Sequence, residues 1–216
     1  MRRCVHQSSR REGVSQLPET NQEDQRWVTR AREGDLAAFN LLVERYQRLA
    51  YNIALRMVRD PAAAEDVTQE AFFSAYRALA RYRGGNVRSW LLAIVANGAR
   101  DHLRSPHRRR SSSLEAITGE GDPDGPSASG EATPEQQALQ SETGRMVHEA
   151  LARLPENQRL LVTLVDLQGM DYEEAAEIAG IAVGTVKSRL SRGRERLRQI
   201  LRPMMELSGD SPRQNG

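Results

Sequence analysis

The sequence predicts an all-α protein: two small helical domains joined by a flexible linker, the second one a helix-turn-helix. Three observations carry that expectation. Apolar residues recur at spacings of three and four, with almost no alternating strand pattern. A Gly-, Pro- and Ser-rich stretch divides the 216-residue chain near its middle. Near the C-terminus, a single glycine separates a short periodic segment from a longer basic one.

The helices follow in order. Asn21 to Gly34 reads as a short first helix. Asp35 starts a second, carrying Phe39, Leu42, Val43, Tyr46, Leu49, Ile53 and Met57 on one face. Asp60-Pro61 restarts the chain, with Asp as N-cap and Pro at the first helical position. That third helix holds Val67, Ala71, Phe72, Ala75 and Leu79, and Gly84-Gly85 break it. The fourth runs from about Val87 to Arg104, with Trp90, Leu91, Ile94, Val95 and Leu103 on its apolar side, and Pro106 ends it. The spacing of Trp90 to Ile94 assigns Trp90 to the core rather than to a nucleic-acid base.

From Ser105 to Pro134, fourteen of thirty residues are Gly, Pro or Ser, and only Leu114 and Ile117 are large and apolar. Such a segment cannot bury enough to fold alone. As a free coil its ends would lie about 30 Å apart. Helices resume near Pro134 with Leu139, Met146, Val147, Ala150, Leu151 and Leu154. Pro155 opens the next, which holds Leu160, Leu161, Leu164 and Val165 and stops at Gly169. Asp171 caps a short helix ended by Gly180, and a last helix spans about Ala182 to Arg202. The expected boundaries are a tail at 1–23, a first domain at 24–105, a linker at 106–133, a second domain at 134–203 and a tail at 204–216. The two domains are expected to have no fixed interface of their own.

Net charge is +2 and does not suggest nucleic acid, but its distribution does. Arg81 to Arg110 contains eight arginines and one acid, Asp101; Ile181 to Arg202 contains seven Lys/Arg and one acid, Glu195. Two basic patches, each beside an apolar stripe, read as two nucleic-acid surfaces; the plain alternative is a pair of solvated helix faces. The N-terminus is basic and polar, without the apolar run of a signal peptide, and no apolar run reaches 18 residues. The expected location is the cytoplasm, with no membrane insertion. Cys4 excludes an intramolecular disulfide and is a weak basis for redox sensing.

The last two helices form the most specific motif. Asp171-Tyr-Glu-Glu-Ala-Ala-Glu-Ile-Ala is the scaffold helix, Gly180 supplies the left-handed turn, Ile181 plugs the corner, and Thr185 begins the recognition segment. Ala175 and Ala176 let the two helices approach. Val186, Leu190, Leu197 and Leu201 fall on one face; Thr185, Ser188, Arg189, Arg192 and Arg196 lie on the other. Lys187 joins them as a candidate contact. These residue types reach base edges and phosphates in a major groove. A helical hairpin within an ordinary core is the alternative.

No catalytic constellation is present: no phosphate-cradling Gly loop, no HExxH and no nucleophile elbow. Glu65, Asp66 and Glu70 share a helix with Gln69 and have no basic or metal-ligand partner nearby, so they read as a solvated or partner-facing surface. No metal, cofactor or catalytic residue is expected.

At this point the residues resemble a known family. Asp60-Pro-Ala-Ala-Ala-Glu-Asp-Val-Thr-Gln-Glu-Ala-Phe resembles the polymerase-binding helix of extracytoplasmic-function (ECF) RNA polymerase sigma factors. Arg88-Ser-Trp-Leu-Leu-Ala-Ile-Val-Ala-Asn with Asp101-His-Leu-Arg104 is similar to their −10-reading helix. Leu154-Pro-Glu-Asn-Gln-Arg, Tyr172-Glu-Glu-Ala-Ala-Glu-Ile and Gly184-Thr-Val-Lys-Ser-Arg-Leu-Ser-Arg-Gly-Arg are similar to their −35-reading domain. The resemblance spans about Asp24 to Arg202.

The resemblance implies a non-enzymatic initiation factor. Asp66, Gln69 and Glu70 would dock on a coiled coil of the largest polymerase subunit, and the second domain would meet the flap of the second-largest. Arg83, Asn86, Arg88, Asn97, Arg100 and Arg104 would hold the −10 element as single strand, with one base flipped into a loop pocket. Arg100 and Arg104 are the better phosphate candidates, and Asp101 the better salt-bridge partner. Thr185, Lys187, Ser188, Arg189, Arg192 and Arg196 would read the −35 element. The elements lie on the order of 70 Å apart, so bound polymerase would hold the linker extended. An anti-sigma factor is the implied inhibitor.

The chain departs from the family pattern in three places. The loop from Tyr82 to Trp90 is one residue shorter than the commonest form. Ala182 stands where a Ser-like N-cap is usual, at about 1 kcal/mol of helix stability. Gly98 inside a helix costs about 1 kcal/mol. Two rival functions compete: a helix-turn-helix regulator independent of polymerase leaves the first basic patch unused, and a recombinase or transposase requires strands and a catalytic set.

Overall fold

The computed structural model describes residues 19–105 and 142–209. Among them there is no strand. The helices are α1 (Glu19–Arg32), α2 (Leu36–Val58), α3 (Pro61–Ala78), α4 (Val87–Arg104), α5 (Glu142–Ala152), α6 (Glu156–Val162), α7 (Tyr172–Ala179) and α8 (Val183–Gly209). A 3-10 turn follows α3 at Leu79–Arg81, and a π-helical turn follows α6 at Thr163–Leu167. The expected linker at 106–133, the helical start near Pro134 and Cys4 lie outside the described residues.

Local chemistry fixes the helix starts. Asp35, Asp60 and Asp171 each accept a backbone N–H three residues on, from Ala38, Ala63 and Glu174 at 3.1, 2.8 and 2.7 Å. Each satisfies a donor that the first helical turn leaves open. Gly180 ends α7 in the left-handed region at φ 67°. Arg59 takes that conformation too, at φ 66°, although it carries a Cβ. Arg59 and Asp60 alone separate α2 from α3, and the reversal needs a positive φ. The last helix runs through Pro203 to Gly209, so residues 204–209 are helical and not the expected tail. Pro203 forfeits one backbone donor, but the Met, Glu and Leu that follow are good helix formers.

The first four helices pack around α2, which meets α1, α3 and α4. Leu42, Ile53, Met57, Phe72 and Leu92 fill that centre. The last four enclose Leu151, Leu160, Leu161, Ile178 and Leu190. Trp90 sits half-buried on the core with its ring 5.0 Å from that of Tyr82, as its spacing implied. A Cβ on Gly193 would meet Val162 Cγ2 at 3.2 Å, so α8 approaches α6 closely only because that residue is glycine. At Gly98 a Cβ would stand 3.6 Å from Val67 Cγ1, an ordinary contact; packing does not require glycine there.

The two helical domains form as expected, but they meet in an interface that was not expected. α4 packs on α7, and α2 packs on α5 and α6, within one continuous apolar cluster. Sequence composition could not reveal this, because one of the anchoring residues is charged. Arg159, on the first turn of α6, is 7% exposed. Its Nε donates to Leu151 O at 3.0 Å, one Nη to Met57 O at 2.8 Å, and the other to Ala152 O and Leu154 O at 3.0 Å each. Met57 lies in the last turn of α2, and Leu151 and Ala152 in the last turn of α5. Those carbonyls lack intrahelical donors and carry the negative ends of two helix dipoles. One guanidinium thus caps two helices, one from each half of the molecule.

Arg159→Ala should therefore lower unfolding stability by about 3 kcal/mol in urea titration, since it leaves buried carbonyls unsatisfied. Arg159→Lys should restore only part of that, because one ammonium cannot fan across four acceptors. An Ala variant as stable as the parent would remove this residue from the interface account.

Beside it, His148 on α5 is half-buried, and burial pushes its imidazole below the ordinary 6.5, helped by the Arg56, Arg59 and Arg159 charges and opposed by Glu149. The unfolded chain then holds more protons than the folded one as pH falls through 6.5. Stability should be full above that value and decline on acidification below it. His148→Gln should flatten the stability profile between pH 7.5 and 5.5; an unchanged slope would assign the acid response elsewhere.

Candidate nucleic-acid interface

Two helices carry the candidate contacts. α4 begins at Asn86, whose side-chain oxygen accepts the Ser89 N–H at 3.1 Å. That oxygen is spent on capping, so the Asn86 amide retains its N–H₂ for a ligand. Arg83 is exposed in the preceding loop. Arg88 is half-exposed, and its Nε stands 3.2 Å from Glu174 Oε1 of α7. The pair is close in charge but misaligned as a hydrogen bond, since both atoms lack a bonded partner. Burial holds the Glu174 carboxyl above its ordinary value, and Arg88 only partly offsets this.

Further along α4, Asn97 is exposed and accepts from Arg100 at 3.0 Å. Arg100 and Arg104 both face Glu156 of α6, at 3.5 and 3.6 Å. Burial lowers the Arg100 pKa, with Glu156 opposing and the Arg104 and Arg189 charges adding to the shift. Asp101 is exposed and forms no ion pair among the described residues, so its expected salt-bridge role is not realised. The acid that the arginines use comes from the other half of the chain.

The helix-turn-helix forms as read from the sequence. α7, the left-handed Gly180 and α8 follow in order, with Ile181 packed on the core. Val186 and Leu190 are buried; Lys187, Ser188, Arg192 and Arg196 are exposed, and Thr185 is half-buried. Ala182 occupies the N-cap place, its carbonyl receiving the Thr185 and Val186 N–H groups, and has no side-chain acceptor to offer. Lys187 reaches over the Tyr172 ring at 5.7 Å. Arg194 turns the other way and binds Asp166 of the π-helical turn at 2.5 Å, so it braces α8. Arg189 is half-buried instead of facing open solvent. It lines a cleft of about 540 Å³ with Asn97, Arg100, Arg104 and Glu156. The structure thus brings one member of the recognition set against the α4 set.

On α3, Asp66, Gln69 and Glu70 are exposed on one face. Glu70 has a basic partner after all: Arg77 lies 2.6 Å away, two turns along the same helix. Sequence reasoning passed over Phe73, which is 63% exposed on that face. The signal was available, since of the adjacent Phe72 and Phe73 only one can point inward. Among the described residues no group of His, Cys, Asp and Glu could hold a metal ion, and no helix is long and apolar enough to cross a membrane.

These features define a two-domain helical DNA-binding protein with an arginine-lined helix in one half and a helix-turn-helix in the other. Comparison with known proteins places it further. Residues 42–110 match Sigma-70 region 2, and residues 144–197 match Sigma-70, region 4. The chain is 38% identical over 191 residues to the RNA polymerase sigma-H factor of Pseudomonas aeruginosa, covering 86% of this chain and 97% of that one. It is 39% identical over 184 residues to the ECF RNA polymerase sigma-E factor of Escherichia coli, covering 84% and 96%. Sigma factor RpoE from Bartonella quintana, solved with the anti-sigma factor NepR, is 27% identical with a TM-score of 0.57, covering 76% of this chain and 96% of that one. CnrH, solved with the cytosolic domain of CnrY, shares the fold at 24% identity and a TM-score of 0.61, covering 84% and 98%. The chain belongs to the sigma-70 family, in its ECF branch, and directs promoter-specific transcription initiation.

The pairing with Glu156 sets an acid against Arg100 and Arg104, two of the candidate phosphate contacts. Glu156→Gln should raise the affinity of the free chain for single-stranded DNA by about 1 kcal/mol, read by fluorescence anisotropy at fixed salt. Equal affinity of the two proteins would show that Glu156 does not compete with the strand.

Proposed function

We propose that the first half docks on core RNA polymerase through α3 and captures the −10 element through the loop after α3 and through α4, while α8 reads the −35 element. The observation that supports this division is the segregation of charge. α3 exposes Glu65, Asp66 and Glu70 against one arginine, Arg77, whereas arginines outnumber acids among the exposed and half-exposed residues of α4 and α8. A carboxylate beside a phosphate backbone is repelled, and an arginine there releases counterions. Phe73 adds apolar area to the α3 face, and a protein partner can bury it where DNA cannot.

In this reading Arg83, Arg88, Asn97, Arg100 and Arg104 hold the displaced strand, with the Asn86 amide at the helix start. Thr185, Lys187, Ser188, Arg189, Arg192 and Arg196 contact the −35 duplex. α3 meets a coiled coil of the largest polymerase subunit, and the second half meets the flap of the second-largest. The protein acts in the cytoplasm as a binding factor with no catalytic step. The pairing of Arg88 with Glu174, and of Arg100 and Arg104 with Glu156, requires that the halves separate before α4 takes DNA. An anti-sigma factor fits this scheme as the inhibitor, as NepR is found with RpoE.

The test is reconstitution: the chain mixed with core polymerase should give transcription from its own promoters and none from promoters altered at either element. Within that assay Phe73→Ala and Glu70→Lys should each weaken core binding, by about 1–2 kcal/mol for the aromatic, without loss of stability. Arg104→Ala should leave core affinity intact and impair melting, and the defect should shrink on a promoter already opened by mismatched bases. If Glu70→Lys binds core normally yet fails to open duplex, the assignment of α3 and α4 is wrong.

A further inference from the structure

The loop between the 3-10 turn and α4 is built around one carbonyl. Gly84 and Gly85 both take positive φ, 95° and 105°, and a Cβ on either would meet nothing within 4 Å. The glycines are needed for backbone conformation and not for space. The Gly85 carbonyl accepts from Tyr82 Oη at 2.9 Å, Gln25 Nε2 at 2.8 Å and Asn21 Nδ2 at 3.2 Å. The other end of the Asn21 amide accepts the Val87 N–H at 3.0 Å. Val87 opens α4, and its N–H is one of the donors a helix start leaves open. Asn21 is 5% exposed, so this fork is shielded from water.

Asn21 and Gln25 are the contribution of α1. That helix lies before residue 42, where the match to Sigma-70 region 2 begins. It is held to α2 by Arg45, which reaches Asp24 and Glu23 at 2.6 Å each, and by the Tyr46 hydroxyl on Asp24. Its position is therefore fixed independently of the loop. Two glycines give the loop wide freedom, and three donors on one carbonyl remove it. Arg83 and Gly84 are left exposed at the rim with their backbone orientation set from α1.

The geometry points to Asn21 and Gln25, with Tyr82, as positioning residues that set base selectivity at the −10 element by fixing the Gly84-Gly85 loop. This rests on the reading above that the loop and α4 capture the −10 strand. The base in question is one that leaves the stack, because only such a base can sit against a loop and be read on its edge.

The test uses holoenzyme reconstituted from full-length variants and promoters carrying each of the four bases at each −10 position. The readout is the ratio of transcription from the best and worst base at a position, which uniform loss of activity does not move. Gln25→Ala and Tyr82→Phe remove single donors at little risk to folding, and Asn21→Ala removes the fork. Each should lower discrimination at one −10 position by about three- to tenfold, with other positions, −35 preference and core affinity unchanged. Gln25→Lys, which keeps a donor, should retain the parental ratio, and Gln25→Glu should not. Equal loss at every position, or an unchanged ratio in all three donor-removing variants, overturns the proposal. Gly85→Ala separates this outcome from failure of the underlying reading. If it shifts base preference while the donor variants do not, the loop reads DNA without help from α1. If it too leaves every ratio intact, the loop is not the −10 reader.

Discussion

A single buried cation organises the interface between the halves. Arg159 cannot reach bulk water, and an unsolvated guanidinium would be prohibitively unstable. Its solvent is instead the ring of carbonyls at the ends of α2 and α5. The arrangement satisfies both sides, since carbonyls at helix ends need donors when buried; Leu151 O also accepts the Leu154 N–H at 3.1 Å. α6 is thereby fixed against α2, Glu156 at the head of α6 is brought to Arg100 and Arg104, and α7 is set across α4. The charge pattern of the cleft follows from where this one side chain is seated.

That cleft explains how one chain can carry two basic faces at a net charge of only +2. The acids that balance the arginines of α4 lie on α6 and α7, close in space only when the halves are packed. In the packed state the α4 arginines are partly neutralised; with the halves apart, both basic faces would be released to phosphate. Asp66, Gln69 and Glu70 of α3 take no part in these ion pairs and are exposed. If α3 docks on protein and α4 takes DNA as proposed, only the second act requires these ion pairs to open.

Much of the local structure was legible in the sequence because it is decided within a few residues. Asp35, Asp60 and Asp171 each had to cap, Gly180 had to turn, and α4 spans Val87–Arg104 as its apolar spacing implied. What escaped depends on contacts distant in sequence. Arg159 reads as one more basic residue at a helix start, and only Met57, 102 residues away, makes it an anchor. Asn21 reads as the edge of an ordinary helix, and its role appears only when α1 lies beside Gly85. Arg59 gives no warning of a left-handed turn because it is not glycine. In the candidate site, residue types and helix were legible, but Arg189 and Asn86 were already committed to the cleft and to a cap. Phe73 lies outside the inward apolar pattern, which marks only the buried face of α3.

The strength of the packing matters as much as its existence. Of the carbonyls that Arg159 binds, those of Leu151, Ala152 and Leu154 belong to its own half and that of Met57 to the other. A charge-assisted hydrogen bond of that kind contributes about 1.5–3 kcal/mol. The ion pairs of Arg88 and Arg104 are partly exposed and add roughly 0–1 kcal/mol each. In the proposed function, phosphates would replace the carboxylate partners of the α4 arginines. Moving a two-state equilibrium from mostly closed to mostly open takes about 5.5 kcal/mol of differential binding. A handful of phosphate contacts together with a core-polymerase interface lies within that range. The apolar contacts of α4 with α7 and of α2 with α5 and α6 add to that requirement, so the charged edge is only part of what separation must overcome.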